Sequence, residues 1–139
     1  MSNEKKYYSY PSSEKDYKIM LADLQKKLAD ANLSPKERLK IELGFEEAVV
    51  NVISYSKSPE IYIAFSQDKA AIIIDIIDFG TPFNPLVKKT KPLADSLEQQ
   101  TEGGLGIFFL KKTFKLSYSY EKFLGKMANH LTMLYNIGI

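Results

Sequence analysis

The chain has 139 residues, with 45% apolar and 26% charged residues and a net charge of +2, which is enough chain for one domain with a real core. So small a charge argues against nucleic acid or an anionic membrane as partner. There is no cysteine and one histidine, so neither a disulfide framework, a thiolate metal site nor a two-histidine site is available.

The first residues, Met1 to Lys6, have no apolar segment behind their charges, and no stretch approaches a membrane span. The expectation is a cytoplasmic protein. Tyr7 to Tyr10 is aromatic and ends at Pro11-Ser12-Ser13, which predicts a short edge strand or arm. Ser13 and Asp16 resemble a capping box. From Glu14 to about Ala31, Tyr17, Met20, Leu21, Leu24 and Leu28 recur at helical spacing, predicting a one-sided surface helix.

Ser34-Pro35-Lys36-Glu37 is a helix start, with an N-cap, a proline in the first turn and a capping-box glutamate. The helix it opens runs to about Tyr55. It is apolar over most of its circumference, which predicts burial. Glu47 and Asn51 lie one turn apart on one face, so a carboxylate and a carboxamide in a buried helix need partners, a cavity or a ligand. The pair could offer hard oxygens to a magnesium ion, or a base to a water or hydroxyl. The alternative is a solvated stripe on a half-exposed helix. Gly44 lies on the same side and leaves room for a neighbouring element or a ligand, whereas Glu42 and Glu46 fall on a solvent-facing arc.

After a turn at Ser56 to Pro59, Ile61 to Phe65 alternates as a strand and Ser66 to Lys69 turns. Ala70 to Asp78 is a nearly continuous β-branched run, which predicts a central strand ending on Asp78 and Gly80. An acid at such a strand end either binds a ligand or caps a turn. Thr81 to Thr101 is rich in proline, lysine and polar residues and too long for an ordinary connection, with a short helix expected near Leu93 to Gln99. Gly103-Gly104-Leu105-Gly106 then opens a helix. A glycine turn at a helix start favours phosphate, yet this is neither a Walker A loop nor a dinucleotide fingerprint. Phe114 to Tyr120 and Met127 to Ile137 complete the pattern as strands, with a turn over Glu121 to Lys126. Leu131, Met133 and Tyr135 share one face; Thr132 and His130 share the other. A lone strand histidine reads as a bystander.

The three polar stations, in this order and setting, resemble the boxes of the GHKL ATPase superfamily and, more narrowly, the small bacterial anti-sigma-factor serine/threonine kinases. Glu47-Ala48-Val49-Val50-Asn51 is similar to the N box. Asp78-Phe79-Gly80-Thr81-Pro82-Phe83 is similar to the first glycine box, and Glu102-Gly103-Gly104-Leu105-Gly106-Ile107 to the second. The resemblance implies a single α+β domain spanning 1–139: a two-layer α/β sandwich (Bergerat fold), with helices on one face of a mixed, mostly antiparallel sheet. It implies ATP or ADP as ligand with Mg2+. Asp78 would accept from the adenine amino group, with Gly80, Phe83 and Thr132 around the base. Asn51 would hold Mg2+, and Gly103, Gly104, Leu105 and Gly106 would cradle phosphates. Glu47 would be the general base, and 81–102 the ATP lid.

The partners it implies are a sigma factor and a STAS-domain anti-anti-sigma protein, with a homodimer through the sheet edge or Tyr7 to Tyr10 as a further expectation and no nucleic acid or membrane. Two departures stand out. Tyr55 occupies a position that is often histidine, and Lys88, Lys89 and Lys91, with no arginine, populate the lid. The alternative reading is a nucleotide-dependent binding switch with little or no kinase activity. An ATP-hydrolysing or histidine-kinase-like fragment is the weakest expectation, since no phosphoacceptor-histidine helix is expected ahead of the domain.

Overall fold

A computed structural model describes residues 5–87 and 105–138. The chain runs β1 (Tyr7–Pro11), α1 (Glu14–Ala29), α2 (Pro35–Asn51), a π turn (Val52–Ser56), β2 (Glu60–Gln67), β3 (Ala71–Asp78), a 3-10 turn (Pro85–Val87), α3 (Leu105–Thr113), β4 (Lys115–Phe123) and β5 (Lys126–Asn136). The five strands form one sheet in the order β1-β2-β3-β5-β4, and every pairing among the described residues is antiparallel. The fold is thus the expected α+β two-layer sandwich. The short helix expected near Leu93 to Gln99 falls outside the described residues.

Local chemistry sets the boundaries. Ser13 caps α1 by accepting from the Asp16 N–H, and Ser34 and Glu37 form a reciprocal capping box with Pro35 in the first turn of α2. Asp68 closes the β2–β3 turn by accepting from the Ala70 and Ala71 N–H groups. The β4–β5 turn is tighter than its composition predicts. Only Leu124 and Gly125 are unpaired, both at positive φ, as a two-residue primed turn requires.

Strand alternation sends Ile61 and Ile63, Ile72, Ile74 and Ile76, and Leu131, Met133 and Tyr135 to the helical side. There they meet Met20, Leu24 and Leu28 of α1, Ile41, Phe45, Ala48 and Val49 of α2, and Leu110 of α3. The burial expected of α2 holds for one side of the helix only. Leu39, Leu43 and Val50 fall on one side of the helix and face solvent at 56%, 46% and 40% exposure. The missing side chain of Gly44 admits a neighbouring element, since a Cβ there would overlap the Phe114 ring, which also packs edge-on to Tyr135.

The reverse face of the sheet carries a carboxylate within the apolar run of β3. Asp75 is fully buried. It is paired with Lys5 Nζ at 2.9 Å and His130 Nε2 at 2.7 Å, and it accepts from Thr132 Oγ1 at 2.8 Å. Rings from Tyr7, Tyr62, Phe79 and Phe123 gather on this same face. Burial alone would raise the Asp75 pKa, but the bonds from His130, Lys5 and Thr132 outweigh it and hold the carboxyl below its ordinary value. A group whose pKa is depressed by folding contributes stability above its unfolded pKa, and that stability is lost as pH falls through the folded value. Urea unfolding of wild type and Asp75→Asn should therefore show a gap that is widest near neutrality and narrows below the ordinary value of 3.8. A gap independent of pH would mean that the cluster contributes through shape alone.

Candidate functional site

One pocket lies between the C-terminal end of α2 and the ends of β3 and β5. Asn51, Val52 and Ser56 line it from the helix side, Ile76, Asp78, Asn129 and Leu131 from the sheet, and Phe83 and Pro85 from the loop after β3. The helical residues reach it because the chain leaves α2 through a π turn. The wider turn places Ser56 inward and leaves Tyr55 at the surface, 45% exposed.

Asp78 is 3% exposed at the end of β3. Its Oδ1 accepts from the Ser56 hydroxyl, from the Gly80 N–H at 2.9 Å and from Asn129 Nδ2 at 3.0 Å. Oδ2 accepts no hydrogen bond among the described residues, so one oxygen is saturated by the protein and the other is left for a donor in the pocket. The tight turn that follows needs Gly80, because a Cβ there would overlap the Ser56 carbonyl, which accepts from the Thr81 N–H at 3.1 Å. Phe83 stacks on Tyr55 with centroids 5.6 Å apart and 22° between planes.

Asn51 is 6% exposed, and its Nδ2 donates to Glu47 Oε2 at 3.2 Å. A carboxylate only accepts, so the amide orientation is set and Asn51 Oδ1 is the atom turned away from Glu47. That leaves a hard oxygen for a magnesium ion, and the donor set fits one that keeps most of its ligands as water and phosphate oxygens. No group of three or more histidine, aspartate or glutamate side chains among the described residues could hold a metal by itself. The Glu47 carboxylate also lies against the first turn of α3, where Gly106 permits the approach; a Cβ there would overlap it.

The structure thus brings Asn51, Asp78 and Phe83 to one pocket, with Gly80 forming the turn beside Asp78. Glu47 sits one turn away on α2, with Gly106 against it. It does not bring Thr132 there. Thr132 faces the other side of the sheet and donates to Asp75. Asn129, the register partner of Asp78, occupies the position that the resemblance gave to Thr132. Gly103 and Gly104, with most of the expected lid at 81–102, fall outside the described residues, as does the side chain of Leu105. Sequence reasoning missed Ser56, Tyr118 and Asn129. For Asn129 a signal was present, since the alternation of Leu131, Met133 and Tyr135 extends back to it. Burial raises the Tyr118 pKa, which keeps its hydroxyl protonated as a donor to Asn129 Oδ1.

The sequence that builds this largely apolar pocket around a buried carboxylate has relatives among known proteins. Residues 10–135 match the histidine kinase-like ATPase domain, and the chain belongs to that family. The domain is a nucleotide-binding one. Among curated proteins the chain is similar to the serine/threonine-protein kinase BtrW of Bordetella bronchiseptica, with 29% identity over 104 residues, 72% of this chain and 71% of that protein. No helix among the described residues is long and apolar enough to cross a membrane.

Proposed function

We propose that the chain is an ATP-dependent protein serine/threonine kinase that phosphorylates a STAS-type anti-anti-sigma protein and sequesters a sigma factor. The observation that carries the nucleotide part is the Asp78 carboxylate, buried in the pocket with Oδ1 saturated and Oδ2 open to the amino group of adenine. Phe83 and Leu131 flank the base. The kinase part rests on Glu47 and on the likeness to a serine/threonine kinase; the partners rest on the resemblance of the three boxes.

In this reading Glu47 takes the proton from the serine or threonine hydroxyl of the partner as that oxygen attacks the γ-phosphorus. The new O–P bond forms, the bond from the γ-phosphorus to the β-bridging oxygen breaks, and ADP leaves. Asn51 fixes the Glu47 carboxylate through its Nδ2, and its Oδ1 would be a ligand to a magnesium ion. That ion, when bound, neutralises phosphate charge. Gly103 and Gly104, together with the start of α3, are proposed to hold the phosphates by backbone N–H groups.

The direct test incubates the chain with magnesium and γ-labelled ATP together with purified STAS-domain proteins of the source organism. Acid-stable label on a serine or threonine supports the reading. Label that is acid-labile, or none on any of them, counts against it. Gly106→Ala gives a finer check. Its Cβ meets the flexible end of Glu47, which can swing aside without unfolding α3. Thermal unfolding should change little, whereas phosphotransfer should fall by about a hundredfold, the order expected when a reacting group is misplaced by about 1 Å. Equal losses of stability and activity would show that Gly106 serves packing only.

A further inference from the structure

Asn129 on β5 is 4% exposed and stands opposite Asp78 in the strand register. Its carboxamide is fully engaged by protein groups. Nδ2 donates to Asp78 Oδ1 and to the Thr81 carbonyl, both at 3.0 Å. Oδ1 accepts from the Phe83 N–H at 3.0 Å and from the Tyr118 hydroxyl. The amide cannot be turned round, because a backbone N–H only donates and a carbonyl only accepts. A buried amide with both ends satisfied specifies one arrangement of what it touches. Here it joins the carboxylate at the end of β3, the turn at 80–83 and the side chain of Tyr118 on β4.

We propose that Asn129 is the positioning residue of the base-recognition pocket. It holds Asp78 and Phe83 as one unit, so that recognition of a 6-aminopurine depends on a residue with no hydrogen bond to spare for the ligand. The proposal rests on the nucleotide-binding reading above.

Asn129→Asp keeps the shape, removes both N–H donors and sets a second carboxylate against Asp78. The groups around the pair are the Ser56 and Tyr118 hydroxyls and the Gly80 and Phe83 N–H groups, none of which supplies a compensating positive charge. Two carboxylates so placed resist joint ionisation, and a proton shared between them restores one donor.

The experiment titrates wild type, Asn129→Asp and Tyr118→Phe with magnesium-ATP and magnesium-ITP by calorimetry. Each variant is compared with wild type at about pH 7.5 and about pH 5.5. Wild type should prefer ATP by about tenfold or more, because the inosine base offers a carbonyl where adenine has an amino group. At the higher pH, Asn129→Asp should lose at least about tenfold in ATP affinity and most of that preference. At the lower pH it should regain part of both relative to wild type. Tyr118→Phe should show a smaller loss in the same direction, without the pH dependence. The proposal is overturned if Asn129→Asp matches wild type within twofold for both nucleotides, or if it weakens both equally at both pH values, as a merely structural residue would. Wild type that binds neither nucleotide overturns the nucleotide reading itself.

Discussion

Glu47→Gln should reduce phosphate transfer to the partner hydroxyl by about 10²–10⁴-fold, the range that a positioned general base contributes. The substitution keeps the side chain's size and an oxygen to accept from Asn51 Nδ2, whose present distance to Glu47 is 3.2 Å. The α2–α3 contact at Gly106 therefore persists, and nucleotide affinity should stay within about threefold of wild type. The measurement is single-turnover transfer of label beside a nucleotide titration of the same protein. If transfer survives, Glu47 is not the base. If wild type itself transfers nothing while binding nucleotide and partner, the chain is the nucleotide-dependent switch of the alternative reading.

Asp78→Asn should weaken ATP binding by about a hundredfold or more, equivalent to about 2.7 kcal/mol. The amide has two orientations in the pocket, and both fail. With its oxygen toward Ser56, Gly80 and Asn129, its NH2 points at the amino group of the base, donor against donor. Reversed, it sets the NH2 against three donors that now converge on Oδ1. An unmatched buried polar group costs about 1–3 kcal/mol, more when a charge-assisted bond is lost with it. Urea unfolding of the nucleotide-free variant separates the two causes. Weaker binding with stability nearly unchanged places the loss at the ligand. A comparable drop in stability places it in the turn at 80–83.

Those two residues were legible in the sequence for different reasons. Glu47 was marked by its i,i+4 relation to Asn51 inside an apolar helix, and Asp78 by ending a β-branched run. The chain order of helix, strands and glycine turn carried the fold class. What the pattern could not show was anything that depends on a break in periodicity or on strand register. Ser56 reaches Asp78 only because the helix ends in a π turn, an extra residue that no apolar spacing announces. Leu39, Leu43 and Val50 add to the apolar circumference that predicts burial of α2, yet they share one exposed side of it. Asp75 was hidden inside the same run that identified β3, and its partners Lys5, His130 and Thr132 come from two other segments.

Thr132 is the instructive case. The alternation of Leu131, Met133 and Tyr135 already put it on the reverse face, and the family position drew it into the pocket against that pattern. The register then shows Asn129 opposite Asp78. In a strand the two-residue period is the firmer constraint, since a slip of one residue changes the face of every side chain.

The most direct measurement is a calorimetric titration of the wild-type chain with magnesium-ATP, repeated on Asp78→Asn. Saturable binding at one nucleotide per chain, lost in Asp78→Asn, is the predicted result. Wild type that takes up no ATP, or an Asp78→Asn variant that binds as wild type does, would contradict the assignment of this pocket to the adenine base.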